Sequence, residues 1–290
     1  MKFLGTSAGE GVPNPFCTCR ICENARKVGG KEIRTRSSLM LDETTMIDMS
    51  ADYFSQAITQ GVSFDKVEHL LFTHMHDDHL NPMLFWERSV RDHGAEQTMH
   101  VYCSDEAASF FSDFYLTAKG VGHPSFLNGV EIHPLLRGQT YEIGSYKVTP
   151  LWGQHTTDFE KQSTNYLLEN NGKKMYYALD SGYFPEDTFA ALANQKLDLM
   201  IMECTRAYYD PETMQPRAVH SMKAGHNDLA MCIKTLDRLL ENGGITPNTR
   251  IILTHISAFE VTHAEFCELV THLDRPYAVE VAYDGMELDI

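Results

Sequence analysis

The residue types best suited to chemistry are concentrated at positions 73–79, THMHDDH, directly after a short apolar run. In an extended stretch His74 and His76 point to the same side, and a turn after them brings Asp78 and His79 to an adjacent point. Imidazole nitrogens and carboxylate oxygens are the ligands that suit divalent zinc and similar ions. Because so many polar groups are costly to bury without a cation, the segment predicts a metal site rather than a solvated loop.

Three cysteines, Cys17, Cys19 and Cys22, form a CxCxxC pattern after a stretch rich in glycine and proline. Three thiols this close together favour a soft metal such as zinc, which also needs a fourth ligand. The alternatives are unpaired buried cysteines or a redox loop. The loop at 17–22 is therefore a second candidate metal-binding site.

Composition and charge narrow the class of partner. The chain has 290 residues, 24 Lys and Arg against 40 Asp and Glu, and a formal net charge of −16. This charge repels phosphate backbones and anionic membranes, so we expect neither a long nucleic acid nor a membrane as partner. No apolar run approaches the roughly 18 residues of a membrane span, and the first residues lack a secretory signal. Seven cysteines without an export signal predict reduced thiols in a cytoplasmic protein.

Hydrophobic patterns define the elements that must position these side chains. The sequence predicts a strand hairpin over 37–49, a helix ended by Gly61, and a buried strand ending at Thr73. The strand MHVYC follows, and a strand-rich region begins at about position 138. Four further helices are predicted over 80–92, 104–119, 227–241 and 262–272.

The alternation of these elements predicts the fold class. Two groups of strands, each followed by helices, indicate two packed sheets with helices outside. We therefore expect an α/β fold, a four-layer αββα sandwich that forms one domain over 1–290. The loop at 17–22 precedes this core, and a helical insertion is expected at about 93–125.

The motif HxHxDH after a strand resembles the metallo-β-lactamase superfamily of binuclear hydrolases. Three further segments follow in the family's order, LWGQHTT, YYALDSG and IILTHIS. The resemblance implies two divalent metal ions, zinc or manganese. The implied ligands are His74, His76 and His155 for the first ion, Asp78, His79 and His255 for the second, and Asp180 for both.

Two more aspartates belong to this assignment. Asp48, in MIDMS, resembles the family's buried carboxylate behind the HxHxDH loop. Asp77 lies within the loop, but the motif's spacing makes it a non-ligand. We therefore expect Asp48 to support the ligands without binding metal.

The ligand set implies a hydrolytic mechanism. Two divalent ions about 3.5–4 Å apart lower the pKa of a shared water toward about 7, which gives a metal-bridging hydroxide at neutral pH. The hydroxide attacks a carbonyl carbon or a phosphorus atom, and the ions, one of them held by Asp78, stabilise the developing charge. A general acid for the leaving group is then needed on the opposite side.

The candidate general acid is His226, in AGHNDLAM, which opens a helical pattern that Asn227 or Asp228 can cap. A helix dipole at this position is expected to lower the pKa of the imidazole and keep it neutral at rest. The segment also resembles the histidine motif of the superfamily's phosphodiesterase branch. His226 is therefore predicted to be catalytic, together with the ligand Asp78.

The segments GTSAGEGVP and CxCxxC at one end, and LTHIS and EVAYDGMEL at the other, resemble the cyclic phosphodiesterase group of the phosphonate-degradation pathway. The resemblance implies a third, structural zinc at the cysteines and a homodimer. In that group a histidine completes the zinc site where this chain has Ala258. The replacement ligand is expected from His263, Cys267, His220 or water.

These observations favour a metal-dependent phosphodiesterase for a small cyclic or diester phosphate. A tRNA 3′-processing endonuclease is an alternative, although the charge of −16 and the lack of a basic arm count against it. A thioester or lactone hydrolase could use the same metals. A non-catalytic metal-containing carrier is the alternative outside enzymes, because a branch with a similar cysteine loop acts in pyrroloquinoline quinone biosynthesis. That branch has altered metal ligands, whereas this chain retains the full set.

The remaining histidines and cysteines show no ligand spacing. His69, His100 and His133 are therefore predicted to be structural or surface residues. Cys204 and Cys232 lie in apolar stretches and are expected in the core.

Overall fold

The computed structural model describes residues 1–89, 97–111, 129–219 and 225–289. Two β-sheets face each other, and helices cover the outer face of each sheet. This arrangement confirms the αββα sandwich that the alternation of strands and helices predicts.

The first sheet has six strands in chain order, β1 to β6. They are β1 (Lys2–Gly5), β2 (Ser38–Met40), β3 (Thr45–Ile47), β4 (His69–Leu71), β5 (Met99–Cys103) and β6 (Val130–Pro134). Strands β1, β2 and β3 pair antiparallel, which confirms the hairpin predicted over 37–49, and β3 to β6 pair parallel. Because parallel strands end at one edge, the segments that follow β3 and β4 emerge side by side.

The second sheet has seven strands in the order β15-β14-β11-β10-β9-β8-β7. They are β7 (Tyr141–Ile143), β8 (Tyr146–Trp152), β9 (Thr164–Asn170), β10 (Lys173–Ala178), β11 (Leu199–Glu203), β14 (Arg250–Thr254) and β15 (Val279–Val281). Strands β10, β11, β14 and β15 pair parallel. The buried apolar runs of β11 and β14 fit strands that are covered on both faces. The short strands β12 (Tyr209–Asp210) and β13 (Gln215–Pro216) form a separate ribbon.

The described part of the chain contains seven α-helices. They are α1 (Arg20–Val28), α2 (Tyr53–Gln60), α3 (Met83–Ser89), α4 (105–111), α5 (Glu186–Leu192), α6 (Leu229–Glu241) and α7 (His263–Thr271). Gly61 ends α2 with a φ of 63°, as its position predicts. In the described ranges no helix has both the length and the apolar character needed to cross a bilayer.

The core is divided into layers by the two sheets. Phe3 and Leu39 of the first sheet pack against Tyr166 and Ile201 of the second, and this central layer holds the sheets together. Helices α5, α6 and α7 pack on the outer face of the second sheet. Helices α3 and α4 pack on the outer face of the first sheet. The predicted burial of Cys204 and Cys232 is confirmed by their place in the outer layer of the second sheet.

Helices α1 and α5 are not among the predicted elements. Helix α1 begins at Arg20, so the prediction of a loop over 17–22 is wrong for its last three residues. Ile21, Cys22 and Ala25 form the single buried face of this helix, and the rest of it is polar apart from the exposed Val28.

The helical insertion predicted over 93–125 lies mainly outside the described residues. Its described part contains the strand β5 and the helical residues 105–111, so the segment is not helical throughout. Met99, Val101 and Cys103 of β5 face the outer layer, in keeping with the period of two in a strand.

Candidate active site

The predicted ligands lie at one edge of the sandwich, in segments that follow strands of both sheets. The HxHxDH loop follows β4, His155 follows β8, Asp180 follows β10 and His255 follows β14. Strand β4 ends at Leu71, two residues earlier than predicted, and the residues after it form turns rather than an extended stretch. The convergence of His74 and His76 therefore comes from the fold of the loop and not from strand alternation.

Three histidines form the first group of donor atoms. His76 directs Nδ1 toward the other two rings, 3.0 Å from His74 Nε2 and 3.0 Å from His155 Nε2. His155 donates its Nδ1–H to the carbonyl oxygen of Gly225 at 3.2 Å, which fixes Nε2 as the acceptor nitrogen. A Cβ at Gly225 would lie 2.5 Å from His155 Nδ1, so this contact requires glycine.

Asp78, His79, Asp180 and His255 form the second group, and all four are buried. The Nε2 atoms of His79 and His255 lie 3.3 Å apart. Asp78 Oδ2 is 3.3 Å from His79 Nε2 and 3.5 Å from His255 Nε2. Asp77, one residue earlier, is exposed and belongs to neither group, in keeping with its prediction as a non-ligand.

Asp180 joins the two groups. Its Oδ2 lies 3.3 Å from His74 Nε2 in the first group, and 2.6 Å and 3.2 Å from the Nε2 atoms of His79 and His255 in the second. Donor atoms around a tetrahedral ion with bonds of about 2.0–2.1 Å lie about 3.3 Å apart. Most of the separations in both groups, 3.0–3.5 Å, are close to this value, so the residues fit two divalent cations with Asp180 between them.

A buried aspartate supports the HxHxDH loop from behind. Asp48 accepts hydrogen bonds from the backbone N–H of Thr73 at 2.8 Å and from His79 Nδ1 at 2.7 Å. The Thr73 hydroxyl donates to the same carboxylate at 2.9 Å. Asp48 thus orients the ring of His79 without reaching the donor groups, as its resemblance implies.

Three residues around the centre have left-handed backbone conformations. Asp48, Asp180 and His255 have φ values of 59°, 45° and 56°, and each follows the end of a strand. Residues other than glycine adopt this region at an energetic cost, although Asp and His tolerate it better than most. The sharp turns aim side chains from three strands at one point.

Glu203, the last residue of β11, is a functional residue that the sequence analysis missed. It is fully buried and accepts hydrogen bonds from the backbone N–H groups of Ser181 and Gly182 at 2.7 Å and 2.8 Å. It also accepts from the Thr205 hydroxyl at 2.7 Å, and Thr205 Oγ1 lies 3.2 Å from His255 Nδ1. A single carboxylate at the end of the apolar run LMIME was the available signal.

His226 lies beside the centre, just before helix α6. The helix begins at Leu229 and Asp228 is its N-cap, which confirms one of the two predicted caps, but His226 precedes the helix and does not open it. Its Nδ1 lies 2.8 Å from Asp180 Oδ1 and 3.3 Å from Glu203 Oε2. Burial opposes the charged ring, but these carboxylates outweigh it and raise the pKa of His226 to about 11. The expectation of a pKa lowered by the helix dipole is wrong, because two carboxylates are much closer than the helix end.

The histidines of the centre experience opposite electrostatic effects. Burial disfavours a charged His79, but the surrounding aspartates outweigh it and raise its pKa well above the ordinary value. Burial and the neighbouring His79 lower the pKa of His74 well below the ordinary value. Buried carboxylates packed among imidazoles in this way need cationic compensation, which divalent metals provide.

The order and geometry of these residues agree with a comparison of the sequence with known families. Residues 44–256 match the Beta-lactamase superfamily domain. The chain belongs to the metallo-β-lactamase superfamily. The fold of this superfamily implies divalent metal ions, and the donor groups described above are the residues that fit them.

Several relatives of this superfamily member align over nearly its whole length. Coenzyme PQQ synthesis protein B of Methylococcus capsulatus is 24% identical over 99% of each chain. The crystal structure of a diphosphatase from the PhnP family has a TM-score of 0.70 at 20% identity, covering 99% of this chain and 95% of that one. Zinc-bound PqqB from Methylobacterium extorquens has a TM-score of 0.67 at 18% identity, covering 100% and 99%.

The cysteines of this metallo-β-lactamase superfamily member form a compact cluster. The Sγ atoms of Cys17, Cys19 and Cys22 lie within 4.8 Å of one another. Burial opposes the Cys19 thiolate, but hydrogen bonds from Cys22 and Cys17 outweigh it and lower the pKa of Cys19. Burial raises the pKa of Cys22 to about 11.

No fourth histidine, cysteine or carboxylate joins this cluster in the part of the chain that the structure describes. His263 and Cys267, expected as replacement ligands, lie elsewhere. His263 Nδ1 accepts a hydrogen bond from Arg34 at 2.8 Å, and its Nε2 lies 3.5 Å from Cys267 Sγ. Both side chains are therefore held by α7 and its neighbours, and the expectation for them is wrong. His220 lies outside the described residues.

Ala258, which stands where the resemblance implies a histidine ligand, lies in an apolar cluster. Ala258 is buried against Val12, Ile21 and Ala25, and its carbonyl oxygen accepts a hydrogen bond from Cys19 Sγ at 3.4 Å. The cluster thus offers three thiols and a backbone carbonyl. Three sulfur ligands remain the basis of this candidate zinc site.

Proposed function

We propose that this protein hydrolyses a small cyclic or linear phosphodiester at the histidine–aspartate centre, with His226 as proton donor. The observation that carries the proposal is the place of His226, whose ring lies 4.6 Å from the ring of His155 and 5.8 Å from that of His255. Its Nδ1 is held by Asp180 and Glu203, so a proton for a leaving group would come from Nε2. An acid positioned beside a metal-ligand cluster suits a reaction in which an alkoxide leaves.

The centre is proposed to hold two divalent cations, which would supply a nucleophile from water and neutralise charge on the phosphoryl oxygens. In the reaction, a water oxygen bonds to phosphorus as the bond from phosphorus to the ester oxygen breaks. His226 donates its proton to that departing oxygen, and the water proton released on attack restores it. The phosphate product thus gains the hydroxyl group of the water, and the alcohol product gains a proton.

The residues around His226 prepare it for this step. Glu203 accepts from Asn227 N–H at 3.3 Å and from the Thr205 hydroxyl, and so holds the segment that precedes α6 against the end of β11. His76 and His226 are the half-buried members of the site, whereas the ligands of the second group are buried. We infer that substrate approaches across His76 and His226.

Charge supports a small substrate. The formal net charge of −16 disfavours a long polyanion as substrate. The structural similarity to a diphosphatase from the PhnP family favours a compact phosphate ester or anhydride. The seven unpaired cysteines also suit the reducing cytoplasm, where we expect the enzyme to act.

A second candidate is a role in cofactor synthesis, the role that the name of the relative from Methylococcus capsulatus gives to that protein. Its alignment over 99% of each chain favours this candidate. It differs from the first by predicting metal binding without turnover of phosphodiesters. The convergence of all the donor atoms in two groups favours the hydrolase.

The direct test is turnover of bis(p-nitrophenyl) phosphate by protein loaded with manganese or zinc, with the metal content measured on the same sample. We expect about two ions at the centre per chain and release of p-nitrophenol. Fully metallated protein without turnover would contradict the proposal and favour the second candidate. A screen of cyclic nucleotides, ribose cyclic phosphates, linear diesters and diphosphates then identifies the substrate class.

His226→Ala tests the proton donor separately. Hydrolysis of diesters with poor leaving groups should fall about 10²–10⁴-fold, because their alkoxides need a proton, while p-nitrophenyl esters should lose far less. His272→Ala, at an exposed histidine after α7, is the matched control and should hydrolyse both classes normally. Equal losses for both leaving groups would indicate that His226 only positions the phosphate.

A further inference from the structure

A cluster of polar side chains lies on the first sheet, away from the active site. His69 of β4, His100 and Tyr102 of β5, and Glu131 and His133 of β6 share one face of adjacent parallel strands. The register places His100 opposite Glu131 and Tyr102 opposite His133. This is the face that packs on the second sheet near Leu71, but at the β6 edge it is open to solvent.

Three of these residues direct donor atoms at one point. His100 Nδ1 lies 2.9 Å from His133 Nε2 and 3.3 Å from Glu131 Oε2. Glu131 Oε2 lies 3.7 Å from His133 Nε2. These separations are close to the roughly 3.3 Å between neighbouring ligands of a tetrahedral ion. We propose that His100, Glu131 and His133 form a separate site for a divalent transition-metal ion.

The chemistry of the donors selects the class of metal. Two imidazoles and one carboxylate suit zinc, nickel, copper or iron, and disfavour magnesium and calcium, which prefer oxygen ligands. The side chains are partly accessible, with exposed fractions of 31% for His100, 39% for His133 and 60% for Glu131. An ion could therefore enter from solvent and keep water in its remaining coordination positions.

Neighbouring rings hold the two histidines in place. His69 stacks on His100 with centroids 5.7 Å apart, and Tyr102 stacks on His133 with centroids 5.0 Å apart. The Tyr102 hydroxyl lies 3.3 Å from His69 Nδ1. The donor atoms are thus preorganised by aromatic packing, which lowers the entropic cost of binding an ion.

The site is independent of the active site. His69 begins β4, whereas the HxHxDH loop follows the end of that strand. The two groups of donor atoms share no residue, and His69 is separated from His74 by the rest of β4 and the start of the turn that follows it. An ion at this position would join the edge strand β6 to β5 and stabilise the edge of the sheet. It would take no part in hydrolysis.

The test is uptake of additional Zn²⁺ by the holoenzyme at free concentrations held in the micromolar range by a chelating buffer. Wild-type protein should bind about one ion more than His133→Gln, because the variant loses one ligand of this site and keeps the donor groups of all the others. The thermal unfolding midpoint of the wild-type protein should also rise more on addition of Zn²⁺ than the midpoint of the variant. Glu131→Gln should weaken the site without abolishing it.

His272→Gln, at an exposed histidine without clustered neighbours in the described structure, is the matched control and should retain the additional ion. All variants should keep wild-type hydrolase activity, since none of these residues belongs to the active site. Equal Zn²⁺ uptake by wild type and His133→Gln would overturn the proposal. Loss of the same ion in His272→Gln would overturn it as well, because binding would then be a general property of surface histidines.

Discussion

The histidine–aspartate centre and the cysteine cluster both consist of metal-binding side chains, but they are assembled in different ways. The centre draws ligands from four segments between His74 and His255, and buried Asp48 and Glu203 hold those segments in place. The cysteines come from one short segment, and a backbone carbonyl is their nearest long-range partner. A site built from distant segments depends on a network of buried polar contacts, whereas a local site depends on its own chain path.

Asp180→Ala should have the largest effect, because Asp180 Oδ2 lies within 3.3 Å of donor nitrogens in both groups of the centre. We expect activity to fall by about 10³-fold or more, as for loss of a principal electrostatic stabiliser, and both ions to be bound more weakly. Kinetics with metal analysis on the same sample measures this. Asp77→Asn, in the exposed part of the HxHxDH loop, is the control. A normal rate in Asp180→Ala would contradict the role of Asp180 in connecting the two groups of donor atoms.

Glu203→Gln tests whether the centre depends on buried support. The substitution keeps the size of the side chain but places an amide against the N–H groups of Ser181 and Gly182. We expect kcat to fall about 10–100-fold, with metal affinity reduced to a similar degree. Glu212→Gln, at an exposed position, should behave as wild type. If Glu203→Gln keeps full kcat, the centre does not depend on this buried carboxylate, and the proposed difference between the two sites is contradicted.

Cys19→Ser tests the cysteine cluster, the second of the two sites compared. If the cysteines bind zinc, the variant should contain about one zinc ion less per chain, with kcat unchanged because the cluster lies apart from the centre. Cys267→Ser is a suitable control, since this thiol is half-buried but outside the cluster. A fall in kcat equal to that of Glu203→Gln would show that the two sites are coupled.

The smallest effect is expected from substitution of His263, at the start of α7, and it concerns the pH dependence of stability. Burial and the nearby Arg34 lower the pKa of His263 to about 4. The folded state therefore binds fewer protons than the unfolded state between about pH 6.5 and about pH 4. Its contribution to the free energy of unfolding is fully present above about pH 6.5 and is lost as the pH falls toward about 4.

His263→Gln should flatten the dependence of stability on pH within this window. Chemical denaturation at a series of pH values measures the effect, with His272→Gln as the exposed control. An unchanged slope in His263→Gln would mean that other buried groups account for the pH dependence.

The predictable parts of this molecule are those that local chemistry restricts. The hairpin and the strand MHVYC follow from period-two patterns, and the ligands of the centre follow from residue types that tolerate few substitutes. The role of Glu203 is hard to predict, because it accepts from the backbone N–H groups of Ser181 and Gly182, a kind of partner that residue type does not reveal. The approach of His100 to His133 depends on the register between β5 and β6, which their own sequences do not specify.

The left-handed turns at Asp48, Asp180 and His255 have a consequence for the history of this fold. Each turn has a conformational cost that glycine would not have, because glycine lacks the Cβ that crowds this region. Selection on backbone conformation alone would favour glycine, so these side chains persist while the chemistry they serve is useful. A descendant chain that lost its reaction should accept glycine at these positions before its β-sheets change.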